Sequence, residues 1–139
     1  MTASSTFVPV SNRRAQIGIA ATVILSALLI LSAAFEFLGS SEVLQSMATL
    51  GIPAYLLRPL ALAKISAVIA LWVPNSPRLR EWAYAGLAAD LTGALYSHTS
   101  VEGLGSPTTL VLALFLSILV ASYLLRRTPI TAFSPLASR

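Results

Sequence analysis

The segment from Ile17 to Leu38, IGIAATVILSALLILSAAFEFL, is 22 residues long and carries one charged side chain, Glu36, near its far end. As an α-helix it spans about 33 Å, enough to cross the hydrocarbon core of a bilayer. A secretory signal peptide has a shorter apolar core followed by a small-residue cleavage site. Here Phe35-Glu36-Phe37 stands where cleavage would fall. The segment therefore predicts an uncleaved membrane-spanning helix.

The composition of the whole chain is also typical of a membrane protein. Hydrophobic residues make up 56% of its 139 residues and charged residues only 10%, whereas a soluble domain carries about 25% charged residues. Too few charges are present to cover a water-facing surface, so a membrane is the expected solvent. The absence of cysteine excludes disulfides, thiolate metal ligands and iron–sulfur clusters. With a single histidine in the chain, we predict neither a metal site nor a bound cofactor.

Three further segments are apolar enough to be predicted as spans. They are residues 54–73, 81–97 and 108–125. Between the first two spans, apolar residues recur at helical spacing from Val43 to Ile52, which predicts a short amphipathic helix on the membrane surface. We therefore expect an all-α fold: an integral membrane four-helix bundle over residues 17–126, with that short helix between spans 1 and 2. Residues 1–16 are expected to form a disordered cytoplasmic tail and residues 127–139 a second cytoplasmic tail.

The arginines predict the orientation. Seven of the nine basic residues lie in the N-terminal tail, the connection between the second and third spans, or the C-terminal tail: Arg13, Arg14, Arg78, Arg80, Arg126, Arg127 and Arg139. Four spans place these three segments on one side, and the positive-inside rule makes that side the cytoplasm. The basic residues flank apolar runs and form no patch with interleaved aromatics, so membrane lipid is the expected partner and nucleic acid is not.

Ionisable residues also fall inside the predicted spans. By depth, Glu36, Lys64, Asp90 and His98 converge on the outer half of the bundle. Because an isolated charge at the bilayer centre costs about 2.5–3.5 kcal/mol on insertion scales, we expect Lys64 to contact Glu36 or Asp90 directly. Two interpretations stay open. The charges are either structural pairs that lock the helix register, or the polar floor of a ligand pocket that opens to the outer leaflet.

A pocket of this kind is expected to be bounded by the first three spans, with Tyr84 below it and His98 at its mouth. The small residues Gly86, Gly93 and Ala94 on the third span permit close helix packing and leave room for such a volume. A simply solvated histidine is the alternative for His98, since it ends a span.

The start of the third span combines opposite charges at the predicted membrane interface. Glu81 follows Arg78 and Arg80 closely in the sequence. We therefore predict an interfacial ion pair between Glu81 and these arginines.

Several motifs together resemble the DoxX-like family of small bacterial membrane proteins over about residues 17–126. The most specific is Glu81-Trp82-Ala83-Tyr84-Ala85-Gly86, supported by Leu50-Gly51-Ile52-Pro53, Leu62-Ala63-Lys64, Thr92-Gly93-Ala94 and Ser97-His98. The resemblance implies a compact four-helix protein in the bacterial cytoplasmic (inner) membrane. It implies Lys64, Glu81, Tyr84, Gly93 and His98 as recurring positions, with Glu36 fitting less closely, and it assigns them no catalytic role.

The resemblance also bears on function, because some relatives are named for an association with quinone-linked oxidoreductase systems. It thus implies a lipophilic partner, and our first hypothesis is a binding or accessory subunit that engages a lipophilic molecule such as a quinone. A membrane-embedded enzyme with Asp90 or Glu36 as base, stabilised by Lys64 or His98, is an alternative. A transporter that requires a homo-oligomer and a purely structural partner of another membrane protein are the others.

Overall fold

The computed structural model describes residues 12–126, and within them it is helical throughout, with no strand. The elements are α1 (Asn12–Leu38), α2 (Ser41–Thr49), a short 3-10 helix η1 (Ala54–Leu56), α3 (Leu57–Trp72), α4 (Pro77–Glu102) and α5 (Pro107–Arg126). The all-α prediction is confirmed. The predicted tails lie outside the described residues, except that residues 12–16 belong to α1 and not to a tail.

Glycines and capping residues define α2. Gly39 and Gly51 flank the helix with φ of +65° and +68°, a region that side-chain-bearing residues rarely adopt. The Ser40 hydroxyl accepts a hydrogen bond from the Val43 amide and caps the first turn. None of the residues of α2 is buried. The short helix predicted between spans 1 and 2 is confirmed, while its position on a membrane surface stays a prediction.

The connection between α3 and α4 is a short turn that contains Pro74 and Asn75. Pro77 is the first residue of α4, where its missing N–H costs no helical hydrogen bond. The helix continues to Glu102 and ends before Gly103, whose φ is +87°. It therefore extends beyond the predicted span 81–97 at both ends.

The four long helices pack in pairs: α1 contacts α3 and α5, and α4 contacts the same two helices. Their shared core is made of leucines that are almost fully buried, namely Leu25, Leu29, Leu71, Leu87, Leu91 and Leu119. Large apolar side chains also cover the outside, among them Ile24, Ile69 and Leu114, each more than half exposed. Such an outer surface belongs in lipid rather than in water.

Three of the described helical segments are long and apolar enough to cross a membrane: Arg13–Leu38, Ala54–Trp72 and Pro107–Arg126. Helix α4 has sufficient length but is not apolar enough, because its middle part carries Asp90 and His98 together with several glycine, serine, threonine and tyrosine residues. The fourth span and the membrane four-helix bundle therefore stay predictions.

Among the glycines of the described helices, Gly18 makes the closest approach to another helix. A Cβ added to Gly18 would lie 3.1 Å from Leu125 Cβ and 3.2 Å from the Leu125 backbone carbon. A Cβ added to Gly86 or Gly93 would meet nothing within 4 Å. The two glycines of α4 therefore leave open space beside the helix, as expected of residues that leave room for a volume, and they make no close helix contact within the described structure.

Candidate ligand-binding site

Three ionisable side chains from three helices meet between α1, α3 and α4, and we call Glu36, Lys64 and Asp90 the charged cluster. Lys64 Nζ donates a hydrogen bond to Glu36 Oε1 and lies 3.5 Å from Asp90 Oδ2. The Ser32 hydroxyl donates to the same Glu36 oxygen at 3.2 Å. The side chains of Lys64, Glu36 and Asp90 are 10%, 13% and 21% exposed. The predicted contact of Lys64 with an acidic partner is confirmed, and both candidate acids take part.

The charged cluster is incompletely satisfied. Within the described residues, Glu36 Oε2 and Asp90 Oδ2 are buried and accept no hydrogen bond; the 3.5 Å approach of Lys64 to Asp90 is an ion pair without hydrogen-bond geometry. Buried carboxylate oxygens in native proteins nearly always have a donor, because leaving one unpaired is costly. One lysine therefore pairs with two carboxylates, and one oxygen of each carboxylate could still accept a hydrogen bond.

A cavity of about 610 Å³ adjoins the charged cluster. Its volume falls in the range of small-molecule sites, and most of its lining is apolar. Residues from all five α-helices line it, including Leu29, Phe35, Glu36, Glu42, Met47, Leu60, Lys64, Asp90, Gly93, His98, Leu112 and Phe115. The prediction that three spans bound the pocket is thus incomplete. Helix α2 and the first half of α5 also form its wall, because the chain after α1 folds back over the end of the bundle.

His98 lines the same cavity from the last turns of α4. Its ring is 8% exposed, and Nδ1 lies 2.9 Å from Glu102 Oε1. The Ser106 hydroxyl donates to the other oxygen of Glu102 at 2.8 Å. These hydrogen bonds, that of Ser106 first and that of His98 second, lower the pKa of Glu102 from its ordinary value of 4.5. The alternative of a simply solvated His98 is therefore wrong, since the ring is buried and bonded.

Tyr84 does not line this cavity and belongs to a different group. Its hydroxyl lies 2.8 Å from Ser122 Oγ, which in turn lies 2.7 Å from Thr22 Oγ1, and Thr22 donates to the Gly18 carbonyl at 2.8 Å. We call Thr22, Tyr84 and Ser122 the polar layer. It joins α1, α4 and α5 near the start of α1 and the end of α5, whereas the charged cluster lies near the other end of α1.

Neighbouring side chains extend the polar layer towards α3. Trp72 Nε1 donates to Ser26 Oγ at 3.0 Å, and the Arg126 guanidinium lies 5.5 Å from the centre of the Trp72 ring. Sequence analysis missed Thr22 and Ser122. For each of them the sequence shows only a hydroxyl-bearing residue within an apolar stretch. Such a residue does not indicate which side chain it will hydrogen-bond.

Glu81 forms no ion pair with Arg78 or Arg80 within the described part of the chain. Adjacent residues on a helix do not face each other, and an arginine three residues before a glutamate is the weaker order of charges relative to the helix dipole. Instead, Glu81 lines a smaller cavity of about 320 Å³ together with Tyr84 and Tyr123. The predicted interfacial pair is thus absent here, and the structure separates Glu81 and Tyr84 from the charged cluster.

The residues brought together at the larger cavity are Glu36, Lys64, Asp90, Gly93 and His98. Comparison with known families matches residues 20–122 to the DoxX-like family. The match includes the charged cluster, the polar layer and all of α2. Comparisons with curated proteins and with solved structures gave no match. Because the matched region covers most of the 139 residues, the chain belongs to the DoxX-like family.

Proposed function

We propose that this small membrane protein binds a lipophilic molecule with a polar head group, as a binding or accessory subunit. One observation carries the proposal: a cavity of about 610 Å³ with mostly apolar walls has a floor of buried charges, two of whose oxygens lack a donor. Small-molecule sites combine these features, since apolar walls hold the bulk of a ligand and a few polar groups orient it.

The cavity favours binding over a purely structural role for the charges. If the charged cluster served only to lock helix register, the helices would close around it and every polar atom would be paired. Instead Lys64 and Asp90 line an open volume, and Gly93 beside them has nothing within 4 Å of an added Cβ. A volume of about 610 Å³ is large enough for a ring-sized ligand.

A quinone is the ligand suggested by the resemblance to the family. Its carbonyl oxygens would accept a hydrogen bond from Lys64 Nζ, which Glu36 and Asp90 already engage. A quinone would therefore compete with the two carboxylates for the same cation, so the geometry of the charged cluster favours a ligand that donates hydrogen bonds over a quinone.

The proposal includes four spans in the bacterial inner membrane, with both termini in the cytoplasm and the cavity in the outer half. Helix α4 packs against α3 and α5, so Asp90 faces protein rather than lipid.

The chain has no cysteine, which allows single-cysteine labelling. Leu104→Cys, in the exposed connection after α4, should react with an impermeant thiol reagent on intact cells, whereas Ser76→Cys should react only after lysis. The reverse pattern would overturn the orientation.

The binding proposal is tested by purifying the full chain in native-lipid discs and identifying co-purified molecules by mass spectrometry. Two glycines of α4 provide a matched pair of variants. Gly93 lines the cavity and Gly86 does not, and neither has a neighbour within 4 Å of an added Cβ. We expect Gly93→Phe to lose a lipophilic molecule that the wild type and Gly86→Phe retain. Equal retention by all three proteins would contradict the proposal.

A further inference from the structure

The charges of the chain are unevenly distributed between the cavity and the rest of the molecule. The chain has nine basic and five acidic residues, for a net charge of +4. Yet among the described residues that line the cavity, Glu36, Glu42 and Asp90 are acidic, and Lys64 is the one lysine or arginine. With His98 neutral, the lining has a net charge of −2 within a basic protein. A fourth carboxylate, that of Glu102, bonds the His98 ring.

At the cavity floor, two carboxylates share one cation. Lys64 Nζ hydrogen-bonds Glu36 and lies 3.5 Å from Asp90 Oδ2, and within the described residues one oxygen of each carboxylate accepts no hydrogen bond. The Asp90 side chain is 21% exposed and lines the cavity, so a ligand head that brings N–H groups would hydrogen-bond its exposed part, and a positive charge would offset the acidic excess. An anionic head would add a like charge beside three carboxylates.

We infer that the bound molecule is a lipophilic cation whose head donates hydrogen bonds, of the class of a primary ammonium on a single apolar chain. The inference rests on the proposed binding function and specifies its ligand class. The head lies against Glu36 and Asp90, and the chain lies along Leu29, Leu60 and Phe115, which line the apolar wall.

The test uses four probes that share a dodecyl chain: dodecylammonium, dodecyltrimethylammonium, dodecanol and dodecanoate. The full-length protein is held in neutral maltoside micelles, and the apparent Kd of each probe is taken from the concentration dependence of the Tm. We expect dodecylammonium to bind at least about tenfold more tightly than dodecanoate, because like charges repel across a desolvated contact. It should also bind more tightly than dodecyltrimethylammonium, which has no N–H donor.

Variants show which residues cause the preference for the ammonium probe. Asp90→Asn should reduce the preference for ammonium over dodecanoate several-fold. Glu42→Gln removes a second negative charge from the cavity lining. Because Glu42 is exposed on α2, this variant leaves the core packing intact. Gly93→Phe should abolish saturable binding of every probe, and Gly86→Phe should preserve it.

The outcomes separate the inference from the proposed function. Dodecanol or dodecanoate bound as tightly as dodecylammonium, with sensitivity to Gly93→Phe, would overturn the cation preference and leave a lipophilic site standing. Equal affinity for the two cations would overturn the role of the N–H donors. No saturable binding of any probe would overturn both the inference and the binding function.

Discussion

The polar layer and the charged cluster are two groups of buried polar side chains in one small protein, and they differ in how fully they are satisfied. Thr22 and Ser122 are 0% exposed, and the hydroxyls of the polar layer bond one another in a continuous chain that ends at the Gly18 carbonyl. The charged cluster leaves two carboxylate oxygens without a donor and adjoins the larger cavity. A closed set of hydrogen bonds specifies how helices pack, whereas an open one can accept a ligand.

The glycines near the two regions differ in how tightly they are packed. Gly18, beside the polar layer, is where α1 and α5 come into close contact, with an added Cβ 3.1 Å from Leu125. Gly93, beside the charged cluster, has nothing within 4 Å of an added Cβ. Tight packing and complete hydrogen bonding thus coincide at one end of the molecule, and open volume and unsatisfied charge coincide at the other.

The largest effect is expected at the charged cluster. Lys64→Met leaves Glu36 and Asp90 without their shared cation, and breaking a buried pair in this way should lower the free energy of unfolding by about 3–5 kcal/mol. The double variant Lys64→Met/Glu36→Gln removes the cation and one of its acids, so it should recover much of the loss. Unfolding in mixed micelles measures both variants. A double variant no more stable than the single one would show that these residues are not energetically coupled.

A smaller loss is expected where α1 meets α5. Gly18→Val places a branched side chain against the Leu125 backbone, which cannot rotate away as a flexible side chain would. Overpacking of this kind should lower the free energy of unfolding by about 1–3 kcal/mol. The matched control is Gly86→Val, where an added Cβ meets nothing within 4 Å. If both variants lose the same stability in the micelle assay, the cost does not come from the contact between α1 and α5.

The polar layer should respond weakly and without effect on binding. Tyr84→Phe removes one hydroxyl while Ser122 keeps Thr22 as its partner, so the free energy of unfolding should fall by about 0.5–1.5 kcal/mol. Tyr96→Phe, at a position 76% exposed, is the control and should change nothing measurable. Probe affinities should equal those of the wild type. A loss of probe binding in Tyr84→Phe comparable to that in Gly93→Phe would place the site at the polar layer instead.

The smallest effect concerns Glu102, beside His98 at the edge of the cavity. Because hydrogen bonds from Ser106 and His98 lower its pKa below 4.5, the ionised carboxylate stabilises the folded state above that pH. This contribution is lost as the pH falls through the folded-state pKa. Thermal melts between neutral and strongly acidic pH should therefore show a slightly shallower acid destabilisation in Glu102→Gln than in the wild type. Glu81→Gln, which removes an exposed carboxylate without an ion pair in the described residues, should retain the wild-type acid profile if hydrogen bonding is the cause.

Several features of the candidate site were predictable from sequence because they follow from the cost of burying charge. Lys64 in an apolar stretch requires an acidic partner, and both Glu36 and Asp90 fall at a suitable depth. Tyr84 was expected below the pocket from its depth and from the family resemblance, and depth alone could not show that its hydroxyl bonds Ser122 in the polar layer. The expected pairing of Glu81 failed because neighbouring arginines on one helix do not ensure an ion pair.

The sequence by itself determined where helices form and that Lys64 needs an acidic partner. The apolar runs set where the long helices lie. Gly39 and Gly51 follow the ends of α1 and α2, and Pro77 begins α4. These signals can be recognised in the sequence because they act between residues close in the chain. Only the tertiary structure decided which face of each helix turns inward. The rotation of a helix about its axis depends on packing between distant residues, such as Gly18 against Leu125 or Thr22 against Ser122. Tertiary packing thus placed residues of α2 and α5 in the cavity wall and Tyr84 outside it.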